Sequence, residues 1–408
     1  MRAIFALLGI ALMAGCGGVG SGSTPGVSPL VCKSAVSYAG PPRHAALPAN
    51  SFPMPARGDT SGSVLPADLR ALLDQRVQDI LVQTGAPAMT VALTLPGLGQ
   101  WTTTQGVARA QPPEPTSEAT LFYWGSVAKS LTAVLVLQLV EEGKLRLDDR
   151  LARWYPQIPQ AEHITLEHLL THTSGLATNA LISPGQIVQS SAERVAAAAR
   201  TPSVFCPGAG ASYSNTGYEM LALIVEAVTQ QPFHQAMQSR IAEPLGLQYL
   251  RALRPGEEQP AGLATPHKAR EPQTDPGAWS RLGSGNVVAT ANDMLTVWQA
   301  LLSGRLLAPA TVQRQWAQLY PLQTDAVAPG NQGTMWVGQG VMLTEWTDEQ
   351  GRTRPWLSHL GGIPTANAVV LYDPVANAFV SVAVNNEVSS TAVANALLKV
   401  VMTWRAAR

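Results

Sequence analysis

The segment from Ser130 to Val140 constrains this chain more than any other. Leu131, Ala133, Val134, Leu135, Val136, Leu137, Leu139 and Val140 leave it almost continuously apolar. A helix that is apolar all round has no face to offer water and must be enclosed on every side. It is too short to cross a bilayer, which takes about 20 residues. Glu141-Glu142-Gly143 ends it, with Gly143 suited to the left-handed C-terminal position. The chain therefore has to build a large core around this helix. With 46% hydrophobic residues but only 6% aromatics, Leu, Val and Ala must fill that core.

Directly before the apolar run stand Ser126 and Lys129. If Ser126 opens the helix, the two share a face at i, i+3. A serine hydroxyl is a weak nucleophile until a base takes its proton. Lysine can serve when neutral or sharing a proton, which burial and nearby positive charge favour. The helix N-terminus also offers a backbone N–H at the nucleophile. Read alone, Ser-x-x-Lys also describes a capping serine and a solvated lysine. Here the chain has five lysines in 408 residues, and Lys129 adjoins an enclosed helix.

Two further stretches carry polar chemistry. Tyr213-Ser214-Asn215 follows Pro207-Gly208. A tyrosine near a cationic amine can exist partly as phenolate and act as general base. The Asn215 amide can orient the lysine and hold a substrate carbonyl while also capping the next helix. His359-Leu360-Gly361-Gly362 ends a strand. Glycine there lets a substrate lie against the strand edge, and the Gly362 N–H can complete an oxyanion hole with that of Ser126. His359 adds a polar or cationic group to the cleft.

Periodicity predicts a helix over Pro66 to Gln83 and strands over Ala88 to Leu95 and Gln100 to Val107. Helices follow over His168 to His172, Asn215 to Val228, Phe233 to Ile241 and Ala291 to Leu302. Strands are expected over Met335 to Thr344, Trp356 to Leu360, Ala366 to Tyr372 and Ala378 to Asn385, then a closing helix over Thr391 to Trp404. Strands early and late with helices between imply one sheet built from both ends of the chain and a separate helical lobe.

Taken in order, these stretches resemble the serine β-lactamase and penicillin-binding superfamily, in its class C-like branch. That branch includes D-alanyl-D-alanine carboxypeptidases and β-lactamase-related esterases. Gly125 to Ser130, Leu139 to Leu145, Ile164 to Leu166, His172 to Leu176, Tyr213 to Tyr218, Pro244 to Leu247 and His359 to Gly362 carry the likeness, which spans about residues 68 to 405. It implies an α/β (α+β) fold, an antiparallel sheet flanked by helices with an inserted all-helical lobe. The α/β part is expected over about 66–145 and 290–408, the lobe over about 146–289. It further implies a site in the crevice between them, with Ser126, Lys129 and Tyr213 catalytic and Asn215, His359, Gly361 and Gly362 lining substrate and oxyanion positions. The expected activity is a serine hydrolase forming an acyl-enzyme on an ester or amide, esterase or D,D-peptidase-like, with no cofactor and no metal. Its rivals are a class C-like β-lactamase and a non-catalytic envelope protein that binds penicillin or peptidoglycan peptides. Leu360 departs from the family, which has Thr there to help bind a substrate carboxylate. His359 is only fractionally charged near neutral pH. Ile363-Pro364-Thr365 also replaces the usual glycine and aromatic, altering this rim.

The remaining readings concern the ends and the outliers. Arg2, the short apolar run Ala3 to Met13 and Leu12-Met13-Ala14-Gly15-Cys16 form a signal peptide with a lipoprotein-like processing site over residues 1–16. Cys16 is the expected lipidation site and membrane link, making a periplasmic lipoprotein of the cell envelope; ordinary cleavage would give a secreted protein. Residues 17–65, rich in Gly, Ser and Pro, read as a flexible linker. Cys32 and Cys206 are then an even pair, a disulfide or two free thiols. Zero formal net charge without a basic stripe points away from nucleic acid, and the resemblance implies a small-molecule or peptide substrate. His168 and His172, spaced i, i+4, lack the adjoining Glu of a metal motif and read as packing residues, as do Trp154, Trp298 and Trp316.

Overall fold

The computed structural model describes residues 30, 32, 36–48, 51–52, 63–110, 112–180, 190–257, 260–268, 271–273, 280–322, 334–347, 351–363 and 365–408. Cys16 and its processing site lie outside them. In chain order come α1 (Ala67–Thr84), β1 (Ala88–Leu95), β2 (Gly99–Ala110), β3 (Pro113–Pro115), β4 (Phe122–Tyr123) and α2 (Ala128–Glu141). The middle holds α3 (Leu166–Leu170), α4 (Ser191–Arg200), α5 (Asn215–Thr229), α6 (Phe233–Met237), β5 (Arg251–Ala252), β6 (His267–Lys268) and β7 (Glu271–Pro272). The return consists of β8 (Val287–Ala289), α7 (Ala291–Leu302), α8 (Pro309–Arg314), β9 (Tyr320–Pro321), β10 (Thr334–Val337), β11 (Met342–Thr347), β12 (Thr353–Ile363), β13 (Ala366–Asp373), β14 (Ala378–Val384) and α9 (Ser390–Ala406).

Among the described residues one nine-stranded sheet runs β3-β2-β1-β14-β13-β12-β11-β10-β9, antiparallel throughout. Strands from both ends of the chain thus meet at β1 and β14, as the pattern predicts. Alternate residues explain the layers. Met89, Val91 and Leu93, with Val380, Val382 and Val384, face α1 and α9, meeting Leu69, Leu73, Val77, Leu397 and Val401. Ala92, Val370 and Phe379 face the other way, into a core shared with α2, α5 and α7. The apolar helix α2 lies inside that core: Leu131 and Ala133 through Leu137 are fully enclosed.

Several expectations need correction. The middle of the chain is not all helical, because β4-β8-β5 form a small second sheet and β6-β7 a hairpin. The backbone of buried Phe122 and Tyr123 needs partners, and β8 and β5 supply them. The strand expected over Met335 to Thr344 is instead the hairpin β10-β11, turned at Gly340 with φ +76°. A Cβ there would lie 2.2 Å from Ala133 Cβ, so this turn sits directly on α2. Helix α3 ends at Leu170, and His172 beyond it has φ +61°.

The free linker expected over 17–65 also fails where it is described. Cys32 is bonded to Cys206. The Ala39 N–H donates to the Ala209 carbonyl at 2.9 Å, and the His44 N–H to that of Leu319 at 3.0 Å. Tyr38 and Phe52 pack edge-on against Tyr320 and Trp316. Aromatic residues within a polar segment found apolar surface to cover.

Candidate active site

Ser126 does not open α2 directly. It sits in a one-turn 3-10 helix, Gly125–Val127, that leads into α2. Gly125 at φ +48° makes the sharp entry, with its backbone against β12: a Cβ on it would lie 2.8 Å from the Gly362 nitrogen. From the other side, a Cβ on Gly361 would lie 1.9 Å from the Trp124 carbonyl oxygen. Strand β12 can approach this closely because its pairing with β11 ends at Met342↔Ser358. From His359 to Ile363 its other edge is paired only with β13. Gly125 and Gly361 are therefore the residues that let a strand edge meet the serine turn, whereas a Cβ on Gly362 would make only ordinary contact with Asn367 and Ala366.

Two residues past the turn, Lys129 is completely buried. Its Nζ lies 3.0 Å from Ser126 Oγ, 2.7 Å from Asn215 Oδ1 and 2.7 Å from the Ser284 carbonyl oxygen. Asn215 Nδ2 donates in turn to Asn179 Oδ1, which also accepts from Arg281. Desolvation holds the Lys129 amine well below the usual lysine range, Glu219 opposes this, and Arg281 adds to it. Three oxygens around Nζ can accept the three N–H groups of an ammonium. In the neutral amine that desolvation favours, the two carbonyl-type oxygens, which can only accept, take both N–H groups and the lone pair is free for the Ser126 hydroxyl.

Tyr213 arrives on the loop before α5, capped by Ser214 through the Gly217 N–H. Lys129 Nζ lies 4.8 Å from the Tyr213 ring centroid. Burial pushes the phenol above its ordinary value, and the neighbouring Ser126 hydroxyl opposes that push. The enclosed Oη has no partner of ordinary hydrogen-bond geometry among the described residues. The phenolate expected beside a cationic amine is thus not the form this pocket favours, since burial disfavours the charged forms of both groups.

His359 is also buried, and its Nδ1–H donates to the Leu360 carbonyl at 2.8 Å. Burial, then Lys129, push it down to about 3, against the pull of that bond. It brings a neutral ring, not a cation. Leu360 is half-buried and packs both against the small cluster of Ala211, Tyr320, Val337 and Met342, which Tyr213 also joins, and against the core under α1 and α9. His172 joins the site unannounced. Its ring stacks on Tyr213 at 4.5 Å and on Tyr218 at 5.0 Å, and Nδ1 accepts from the Ser214 N–H at 3.0 Å. His168 is occupied in the capping box of α3 with Thr165. Neither ring matches a metal motif.

Ser126, Lys129, Tyr213, Asn215, His359, Gly361 and Gly362 therefore lie together around the serine turn. The sequence reading missed Ser284 and Glu219. The first stands between two glycines, Gly283 and Gly285; the second is a carboxylate inside the apolar run of α5. Both patterns are detectable in retrospect.

The family model described as Beta-lactamase matches residues 69–401. The chain is 28% identical over 249 residues to a putative penicillin-binding protein, PbpX, of Bacillus subtilis (strain 168), covering 57% of this chain and 60% of that protein. It is 28% identical over 254 residues to esterase EstB of Burkholderia gladioli, covering 51% and 64%. The match thus spans less than two thirds of these relatives' own length. A β-lactamase of Escherichia coli (strain K12) is 27% identical over 69% of this chain and 72% of its own. Among solved structures, D-amino acid amidase from Ochrobactrum anthropi SV3 with D-phenylalanine superimposes with a TM-score of 0.71 at 22% identity, over 84% of this chain and all of that one. With the motifs in order, the sheet built from both chain ends and the serine-lysine-tyrosine cluster at its edge, this chain belongs to the β-lactamase family.

Proposed function

We propose that the protein is a serine hydrolase acting through an acyl-enzyme on an ester or amide. The observation that carries this reading is Lys129: a buried amine with Nζ 3.0 Å from Ser126 Oγ and 2.7 Å from each of two carbonyl-type oxygens. In acylation the Ser126 O–H proton passes to Lys129 and Oγ bonds to the substrate carbonyl carbon. The Tyr213 phenol gives its proton to the leaving oxygen or nitrogen as that bond breaks. The new ammonium keeps three acceptors, and the phenolate now beside it is an opposite charge. In deacylation water loses a proton to Tyr213, its oxygen attacks the acyl carbon, and Lys129 returns its proton to Oγ. The backbone N–H groups of Ser126 and Gly362 are suited to hold the oxyanion.

Neutral substrates fit this site best. Leu360 has no hydrogen-bonding atom, and His359 is an uncharged ring, so the strand side of the cleft offers a carboxylate neither hydroxyl nor cation. The esterase among the relatives is in keeping with this. We expect short-chain p-nitrophenyl esters to be hydrolysed faster than nitrocefin or a D-Ala-D-Ala peptide, and Ser126→Ala to abolish turnover with melting unchanged. Nitrocefin turned over as fast as the best ester would move β-lactamase to first place. Full activity in Ser126→Ala would end the mechanism.

We also infer export to the cell envelope. The Cys32–Cys206 bond fits an oxidising compartment, and Cys16 in its small-residue context is suited to lipidation. Cys16→Ser should shift the protein from the membrane to the soluble fraction; a variant still sedimenting with membranes would refute the anchor.

A further inference from the structure

Behind Lys129 lies a buried ion pair that the reaction above does not use. Glu219 on α5 and Arg194 on α4 have side chains only 7% exposed, and Arg194 Nη1 meets Glu219 Oε2 at 2.7 Å. The other carboxylate oxygen, Oε1, accepts from the Ser284 hydroxyl at 3.3 Å. The carbonyl of that same serine accepts from the Lys129 amine at 2.7 Å. A single residue thus separates the carboxylate from the amine. A second arm of Arg194 reaches the Ser280 carbonyl, holding the guanidinium in place.

The placement is chemically double-edged. A carboxylate this near favours the ammonium that forms when Ser126 gives up its proton. Left uncompensated, it would also favour that ammonium before substrate arrives, and a protonated Lys129 cannot accept the proton. An arginine bound to the far oxygen offsets part of the negative charge. We propose that Arg194 and Glu219 act as a positioning pair that sets the proton affinity of Lys129, Glu219 favouring the transient ammonium and Arg194 restraining it so that the resting amine stays neutral. This inference rests on the reading of Lys129 as the base. The other groups around the amine are Arg281 beyond Asn179, the neutral rings of His172 and His359, and the phenols of Tyr213 and Tyr218.

The test is the pH dependence of Ser126 phosphonylation by an alkyl fluorophosphonate, which needs an activated serine but no knowledge of the substrate. The wild-type rate should fall on an acid limb as Lys129 takes up a proton. Glu219→Gln keeps an oxygen for Ser284 and removes the negative charge, so its acid limb should move to lower pH. Arg194→Met leaves the carboxylate unneutralised, so its limb should move to higher pH, with a loss of rate at neutral pH. Both variants break the same ion pair. A role confined to packing would move their profiles alike, whereas the pair's electrostatic role moves them in opposite directions. Should Arg194→Met fail to fold, the double variant Arg194→Met/Glu219→Leu removes both charges into an apolar pair. Its limb should lie below that of the wild type, because Glu219 is the member that acts on Lys129. Acid limbs that coincide with wild type, or that shift the same way in the two single variants, would overturn the proposal. A wild-type protein that takes up no label would instead overturn the nucleophile assignment and this inference with it.

Discussion

Leu360 and His359 carry the proposed preference for neutral substrates at single positions. A hydroxyl at 360 would offer a substrate carboxylate one charge-assisted hydrogen bond, worth about 1.5–3 kcal/mol, or roughly ten- to a hundredfold in rate constant. We therefore expect Leu360→Thr to raise kcat/KM for nitrocefin much more than for a neutral ester. The ratio of the two gains cancels any general effect on folding, and equal gains would show that position 360 does not read the carboxylate. His359 carries a second expectation. Its ring is pushed down to about 3 in the fold, against an ordinary value of about 6.5 when unfolded. Between those values the unfolded chain holds a proton that the folded one does not. Stability from this ring is thus complete above about pH 6.5 and declines as pH falls toward 3. The melting temperature should drop across that window, and His359→Gln should flatten the drop. An unchanged slope in the variant would mean that His359 is protonated in the native protein.

At the level of elements, the site depends on how closely β12 approaches the turn Gly125–Val127. A methyl group at Gly361 would stand 1.9 Å from the Trp124 carbonyl oxygen, which is backbone and cannot rotate aside. Gly361→Ala should push the strand off the serine turn, costing about 1–3 kcal/mol of stability and at least about a hundredfold in kcat, the scale of losing one oxyanion donor. Activity within threefold of wild type would show that the strand has room to spare. The glycines at 361 and 362 were legible in the sequence because paired glycines ending a strand mark a close approach whatever meets it, here the Trp124 carbonyl at Gly361. The hairpin at Gly340 was not, since the turn is fixed by contact with Ala133 on α2, more than two hundred residues earlier. His172 escaped for a similar reason. The i, i+4 spacing from His168 suggested one helix, but α3 stops at Leu170 and the ring turns inward between Tyr213 and Tyr218.

Across the whole molecule, the sheet from both chain ends and the enclosed α2 were legible because alternation and unbroken apolar runs state burial directly. The arm at 36–48 was not, because its prolines and small residues mask Tyr38, which docks it on Tyr320. Its bond from Cys32 to Cys206 closes a sequence separation of 174 residues and lies just before the loop that carries Tyr213. Replacing both cysteines by serine should lower stability by about 2–5 kcal/mol, read as the shift in urea midpoint. A midpoint that does not move would show that the arm is held by its packing alone. The central claim is narrower than any of these: Lys129 is neutral in the resting protein and aims its lone pair at Ser126. With five lysines in the chain, the side-chain amines can be followed individually by NMR, through the Cε shift of labelled lysine, with Lys129→Arg assigning the signal. Lys129 should titrate far below the other lysines and be uncharged at neutral pH. A Lys129 signal that titrates with the rest, near the ordinary lysine value of about 10.4, would contradict the account.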